Sequence, residues 1–157
     1  MSKYKRIYKD GYSYFITIVT HRREPILIDN ISLLRKSFAL SKKLYSYNID
    51  AIIVLPDHIH MIITPKKAKE YSKIISHIKR SFVYGLDDDY KQNAKTTLSH
   101  SSYQRKLSGI WQKRFYEHTI RDENDWLEKI LYIKFNAVKH KLVDVWVDWE
   151  YSSFVKS

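Results

Sequence analysis

Ile49-Asp50-Ala51-Ile52-Ile53-Val54-Leu55-Pro56-Asp57-His58-Ile59-His60-Met61-Ile62-Ile63-Thr64-Pro65 is the stretch that decides the fold. Ile49 to Leu55 is a short apolar, β-branched run that stops at Pro56-Asp57, and His58 to Thr64 is a second, ended by Pro65. Both read as strands. A link this short joins them as an antiparallel hairpin. Side chains alternate along a strand, so His58 and His60 share one face while Ile59, Met61 and Ile63 share the other. Two imidazoles on one face can meet a single cation. Taken alone, the pair is equally well two histidines with no task.

Upstream, Tyr12 to Thr20 is aromatic and β-branched, lies between Gly11 and His21-Arg22-Arg23-Glu24-Pro25, and reads as another strand. From Asn30 onward, Ile31, Leu34, Phe38 and Leu44 recur near helical spacing, which predicts an amphipathic helix over roughly 30–47. Downstream, Ala68 to Tyr84 carries Tyr71, Ile74, Ile75, Ile78 and Phe82 as a second helical stripe. Leu86 to Gly109 is polar and aperiodic and is expected to be a mobile loop rather than a domain boundary. Trp111 to Ile120 resumes as a strand. Asp122-Glu123 then open a third helix as N-cap and first-turn anions, running to about His140 and leaving 141–157 as a C-terminal tail. The element order predicts an α+β fold, an antiparallel sheet with helices packed on it. It is close to the split βαβ, ferredoxin- and RRM-like arrangement. At 157 residues the chain has room for a single domain.

Composition narrows the partner. The chain has 28 Lys plus Arg against 17 Asp plus Glu, a formal +11 that steers it toward polyanions. Thirteen tyrosines among those cations are what single-stranded bases stack on. Lys73, Lys79 and Arg80 on the second helix, with Lys113 and Arg114, are the candidate contacts to a nucleic-acid backbone. The absence of cysteine excludes disulfides, a thiolate nucleophile and cysteine-ligated metal. No run approaches the ~20 apolar residues that span a membrane. Met1 to Arg6 is basic without an apolar core, unlike a secretory signal, so a cytoplasmic protein is expected.

On the third helix, Trp126, Leu127, Ile130, Leu131, Ile133, Phe135, Ala137 and Val138 define a broad apolar arc. Tyr132 and Asn136, one turn apart, are expected on the opposite, polar arc with Glu128, Lys129, Lys139 and His140. Lys134 falls inside the apolar arc, where only snorkelling accounts for it.

Five blocks of sequence now carry a resemblance: Tyr14-Phe15-Ile16-Thr17-Ile18-Val19-Thr20; Val54 to Ile63 around Pro56-Asp57-His58-Ile59-His60; Trp111 to Asp122; Tyr132-Ile133-Lys134-Phe135-Asn136-Ala137-Val138-Lys139-His140; and Trp149-Glu150-Tyr151-Ser152-Ser153-Phe154. In this order they resemble the HUH (His-hydrophobic-His) single-tyrosine transposases, and within them the REP-associated branch. The resemblance implies an HUH fold in which His58 and His60 are ligands of a divalent cation, Mg²⁺ or Mn²⁺. Asn136 would complete that site and Tyr132 would be the nucleophile. It further implies cleavage and rejoining of single-stranded DNA beside a hairpin through a 5′-phosphotyrosine. Some relatives are homodimers in which the partner supplies the tyrosine. Family members usually have Pro where Ala137 stands and Gly where Lys141 stands, differences expected to shift the end of the tyrosine helix. Three other readings fit the same residues: a catalytically silent nucleic-acid binder, a metal-dependent phosphodiesterase using water, and a structural basic protein.

Overall fold

Four strands, Ser13–Val19 (β1), Tyr47–Val54 (β2), His58–Pro65 (β3) and Tyr116–Ile120 (β4), form one sheet in the order β2-β3-β1-β4. Every neighbouring pair is antiparallel, so the split βαβ expectation holds. The structure, a computed structural model, describes residues 10–155; the basic Met1–Arg6 lies outside them.

Ile31–Leu44 (α1) and Tyr71–Gly85 (α2) cover one face. There Tyr14, Ile16 and Ile18 of β1 and Ile59, Met61 and Ile63 of β3 meet Leu34, Ile74, Ile75, Ile78 and Phe82. The opposite face carries Phe15, Ala51, Ile53 and Ile62 and is covered by Glu123–Lys134 (α5), whose Ile133 packs there with Ala137. Both faces are therefore buried, which is why β3 reads as an almost unbroken apolar run. A bulge in β2 between Ile49 and Ala51 keeps Ile49 and Ile52 on the α1–α2 side despite their odd spacing. Asp50, the extra residue, accepts a hydrogen bond from Thr64 at 2.5 Å.

The element ends differ from the sequence reading. α1 stops at Leu44 rather than near 47, because Tyr45 is already extended, with φ −130° and ψ 142°. β2 starts at Tyr47, two residues early, because Tyr47 is buried and its hydroxyl bonds Ser41. The 86–109 segment is not irregular: it folds into two short helices, Asp88–Lys95 (α3) and His100–Gln104 (α4). The Asp87 carboxylate and the Ser99 hydroxyl cap their N-termini, and Leu86, Tyr90 and Ala94 anchor the segment to the core. Trp111 makes only an isolated bridge to Thr20, and regular pairing begins at Tyr116. The third helix breaks at Phe135, whose φ of −98° and ψ of 7° separate α5 from a last turn, Asn136–Lys139 (α6).

The tail returns to the sheet. Val54 N–H donates to the Tyr151 carbonyl at 2.8 Å, Ser153 N–H to the Ile52 carbonyl at 2.9 Å, and the Trp149 indole to the Val54 carbonyl at 2.9 Å. These bonds occupy backbone groups that β2, an edge strand, would otherwise expose. Among the described residues no helix is long and apolar enough to cross a membrane.

Candidate active site

Alternation puts Thr17, His58 and His60 on the α5 face, and the register sets Thr17 opposite His60. The two imidazole rings lie 4.8 Å apart between centroids, both buried. Each is tied down through Nδ1. His58 Nδ1 meets the Asp57 carboxylate at 2.6 Å, and His60 Nδ1 meets the Thr17 hydroxyl at 2.7 Å. An ionised carboxylate only accepts, so His58 donates its Nδ1 proton to Asp57, and Nε2 is the ring nitrogen that this bond leaves over. An orienting partner on one ring nitrogen is the usual outer shell of a metal-ligating histidine.

Asp57 is itself clamped. Arg23 donates to its second carboxylate oxygen at 3.1 Å. Burial raises the Asp57 carboxyl, but the hydrogen bonds and charges of His58 and Arg23 outweigh it and hold the group below its ordinary range. Arg22 and Arg23 both adopt left-handed backbone, φ 56° and 54°, a strained turn for non-glycine residues. Thr20, fully buried, ties this turn to the Pro56-Asp57 corner through the Asp57 and Glu24 carbonyls. Burial, then the charges of His58, His140, Lys139 and Arg23, push the His60 imidazole from its ordinary 6.5 down to about 3. It is neutral, the form that binds metal, at any physiological pH.

Tyr132 sits beside this pair in the same chain. Its ring centroid is 5.1 Å from that of His60 and 5.8 Å from that of Phe15, and at 37% exposure it is open to solvent. Of the two lysines that could flank it, Lys139 does: its Nζ lies 4.7 Å above the ring and 3.5 Å from the hydroxyl. Lys129 is instead paired with Asp125 at 3.3 Å. Asp125 also accepts from His118 of β4 at 2.8 Å, a link that fixes the start of α5 against the sheet edge. The cavity in front of Tyr132 measures about 630 Å³ and is lined by His60, Thr17, Tyr116 and Leu131, among others.

The apolar arc expected on this helix is rotated. Its buried stripe is Trp126, Ile130, Ile133 and Ala137, while Leu127, Leu131 and Phe135 are exposed beside Tyr132. Asn136, expected on the polar arc, is fully buried, and neither its Oδ1 nor its Nδ2 has a hydrogen-bond partner. With apolar residues almost all round, periodicity cannot choose between the two stripes. Lys134 does more than snorkel: its Nζ sits 4.3 Å over the Trp146 ring.

The basic candidates fall elsewhere. Lys73, Arg80, Lys113 and Arg114 are exposed, but Lys79 is half-buried and donates to the Gln112 and Lys113 carbonyls at 2.9 and 3.3 Å. It staples the chain rather than waiting for a phosphate. The lysines and arginine of α2 lie on the sheet face away from Tyr132. Sequence reasoning missed Asp57, Arg23 and Thr17 as supports of the histidines, and His140, whose ring lies 5.1 Å from that of His58. Asp57 adjoins the motif and was within reach of inspection; the other three need the tertiary fold.

Comparison with known proteins identifies the family. The family described as "Transposase IS200 like" matches residues 8–135. A Haemophilus influenzae protein described as a REP-associated tyrosine transposase is 38% identical over 98% of this chain and 86% of its own length. The REP-associated tyrosine transposase of Escherichia coli is 32% identical, covering 98% and 83%. The solved structure of a REP-associated tyrosine transposase bound to a REP hairpin superposes with a TM-score of 0.78 at 31% identity, covering 98% of this chain and 83% of that one. With a histidine pair, an exposed tyrosine against it and matches over nearly the whole chain, the protein belongs to the IS200-like transposases, among the REP-associated tyrosine transposases.

Proposed function

We propose that the chain cleaves and rejoins single-stranded DNA next to a hairpin, with Tyr132 as the nucleophile. The observation that carries this reading is the Tyr132 ring, 5.1 Å from His60 in the same chain, beside two histidines locked through Nδ1. The hairpin preference is supported by the relative solved with a REP hairpin.

The donor set fits a divalent cation. Two buried imidazoles are oriented, and the Asn136 amide is buried with no partner of its own, an oxygen donor that burial would otherwise leave costly. Asn136, whose buried amide has no hydrogen-bond partner, is the side chain that would complete the set with His58 and His60. Mixed nitrogen and oxygen ligation suits Mn²⁺ better than Mg²⁺. A cation held by His58, His60 and Asn136 would supply Lewis-acid polarisation of the scissile phosphate.

The rest belongs to the protein. Tyr132 Oη attacks phosphorus in line; the P–O3′ bond breaks, the phenol proton is lost, and the departing 3′ oxygen takes up a proton. A 5′-phosphotyrosine and a free 3′-OH remain. One phosphodiester replaces another, so the step is reversible and needs no ATP. Lys139 lies over the ring and donates to the hydroxyl at 3.5 Å, contacts that orient Tyr132. A DNA substrate places the proposed activity in the cytoplasm.

The test is incubation with hairpin-bearing single-stranded DNA and Mn²⁺, followed by denaturing electrophoresis. A covalent adduct is expected from the native chain and none from Tyr132→Phe, whose DNA affinity should change little. Binding without any adduct would leave a silent DNA binder, and cleavage surviving in Tyr132→Phe would point to a water-dependent phosphodiesterase.

A further inference from the structure

A second cleft, of about 540 Å³, opens between α2 and the segment 106–113, on the sheet face away from Tyr132. Its lining includes five basic side chains, Lys79, Arg80, Lys91, Lys106 and Lys113, and no acidic one. Lys79 is used by the Gln112 and Lys113 carbonyls and Lys91 pairs with Asp88 at 3.2 Å. Arg80, Lys106 and Lys113 have no ion-pair partner among the described residues. Between these cations the wall is mainly Val83, Leu107, Trp111 and Tyr84, with Ser76, Ser108 and Gln112 as its neutral polar members. Tyr84 is 87% exposed, the most open large hydrophobic side chain described.

The cleft is preformed. The Trp111 indole donates to the Lys79 carbonyl at 3.1 Å, which fixes the floor to α2. Gly109 has φ +75°, and a Cβ there would come within 2.6 Å of the Ala94 carbonyl oxygen. Only glycine lets the segment close on α3 in this way.

We propose that this cleft is a second DNA site. It takes an unpaired base against the Tyr84 ring and its adjoining phosphate on Arg80, Lys106 and Lys113. The proposal rests on the reading of the substrate as single-stranded DNA. Cations without carboxylates select a polyanion. A bare phosphate would leave Tyr84, Val83 and Leu107 unused, whereas a base on an aromatic face with its phosphate on lysine or arginine uses both halves. The volume lies within the roughly 300–1,000 Å³ of small-ligand pockets. The path to the active site is short. From Lys113 the chain runs through exposed Arg114 to Tyr116, which lines the cavity before Tyr132. The segment bends at Lys113 and Arg114, so at about 3.3 Å per extended residue the span is at most roughly 10 Å. A strand held in the cleft can therefore follow Lys113 and Arg114 into the catalytic cavity.

The experiment uses the full chain and a DNA hairpin with an unpaired flank carrying 5-iodouracil at single positions. Irradiation should cross-link the flank to a peptide containing Tyr84 or Trp111. Tyr84→Ala combined with Lys106→Ala should weaken binding of the flanked hairpin about tenfold or more. The hairpin without its flank should lose little. Tyr84→Phe, which keeps the ring, should bind the flanked hairpin as the native chain does. Both changed side chains are exposed, so a retained melting temperature excludes misfolding. Unchanged affinity in the double variant, a Tyr84→Phe as weak as Tyr84→Ala, or cross-links confined to other peptides would overturn the second site. Because the native chain is assayed for the Tyr132 adduct on the same DNA, absence of that adduct would instead count against the proposed function.

Discussion

At the scale of single residues, the metal role proposed for the histidine pair depends on neighbours that leave each ring one usable nitrogen. Asp57 and Thr17 take Nδ1 of His58 and His60, and Arg23 holds Asp57 in turn. Losing such an outer-shell partner typically costs 10–100-fold in metal affinity. Asp57→Ala is therefore expected to weaken Mn²⁺ binding, measured by calorimetry, by about that factor. His58→Ala and His60→Ala should abolish binding, and Asn136→Ala should be milder because water can replace an amide oxygen. Equal losses at all four positions would remove Asp57 from its supporting role. A second expectation concerns proton linkage. His60 titrates near 6.5 when unfolded and about 3 when folded. Below pH 6.5 the unfolded chain binds a proton that the folded chain resists, so stability held above that pH is lost as pH falls toward 3. Denaturant unfolding in chelator at stepped pH should show that decline, and His60→Gln should flatten part of it. The pairing of His58 with His60 was legible from alternation alone. Thr17 was not, because its place opposite His60 depends on the β1–β3 register, which no local pattern encodes.

At the scale of elements, the end of the third helix shows what lysine does at a position that favours glycine. Lys141 has φ 59°, its N–H donates to the Val138 carbonyl at 2.9 Å, and Leu142 N–H donates to the Ala137 carbonyl at 3.0 Å. This is a Schellman ending with lysine at the position that favours glycine. The expected shift of the helix end is thus absorbed as strain rather than as a longer helix. Lys141→Gly is expected to stabilise the fold by about 1 kcal/mol and to raise the melting temperature by roughly 2–4 °C. A lower melting temperature would mean that the lysine side chain contributes more than the strain costs. Element types along most of the chain were legible because helices and strands bury opposite periodicities. Two features were hidden for physical reasons. Leu86, Tyr90, Ala94 and Leu98 recur every fourth residue, but so sparsely among polar residues that α3 reads as loop. In α5 the exposed Leu127, Leu131 and Phe135 mimic a core stripe, so the burial of Asn136 emerged only from packing.

At the scale of the whole molecule, charge and topology act together. The sheet separates His58, His60 and Tyr132 on the α5 face from cations on the α2 face, and the Lys113–Tyr116 segment runs between them to β4. The sequence already carried the +11 balance, but not which cations are free to use it. Lys73, Arg80, Lys106, Lys113 and Arg114 are exposed, whereas Lys79 is held by two carbonyls. If those five each neutralise one phosphate of a single strand, log affinity should fall linearly with log salt at a slope of about −3.5. Fluorescence anisotropy between low and physiological ionic strength measures it directly. Arg114→Gln should make the slope shallower by about 0.7, the contribution of one phosphate. Lys79→Gln should leave the slope nearly unchanged and lower the melting temperature instead, because its ammonium holds the 112–113 carbonyls to α2. The two variants remove the same formal charge, so a slope that responded equally to both would show that net charge, not placement, governs binding. A flat salt dependence in the native chain would go further and remove nucleic acid as the partner of these cations.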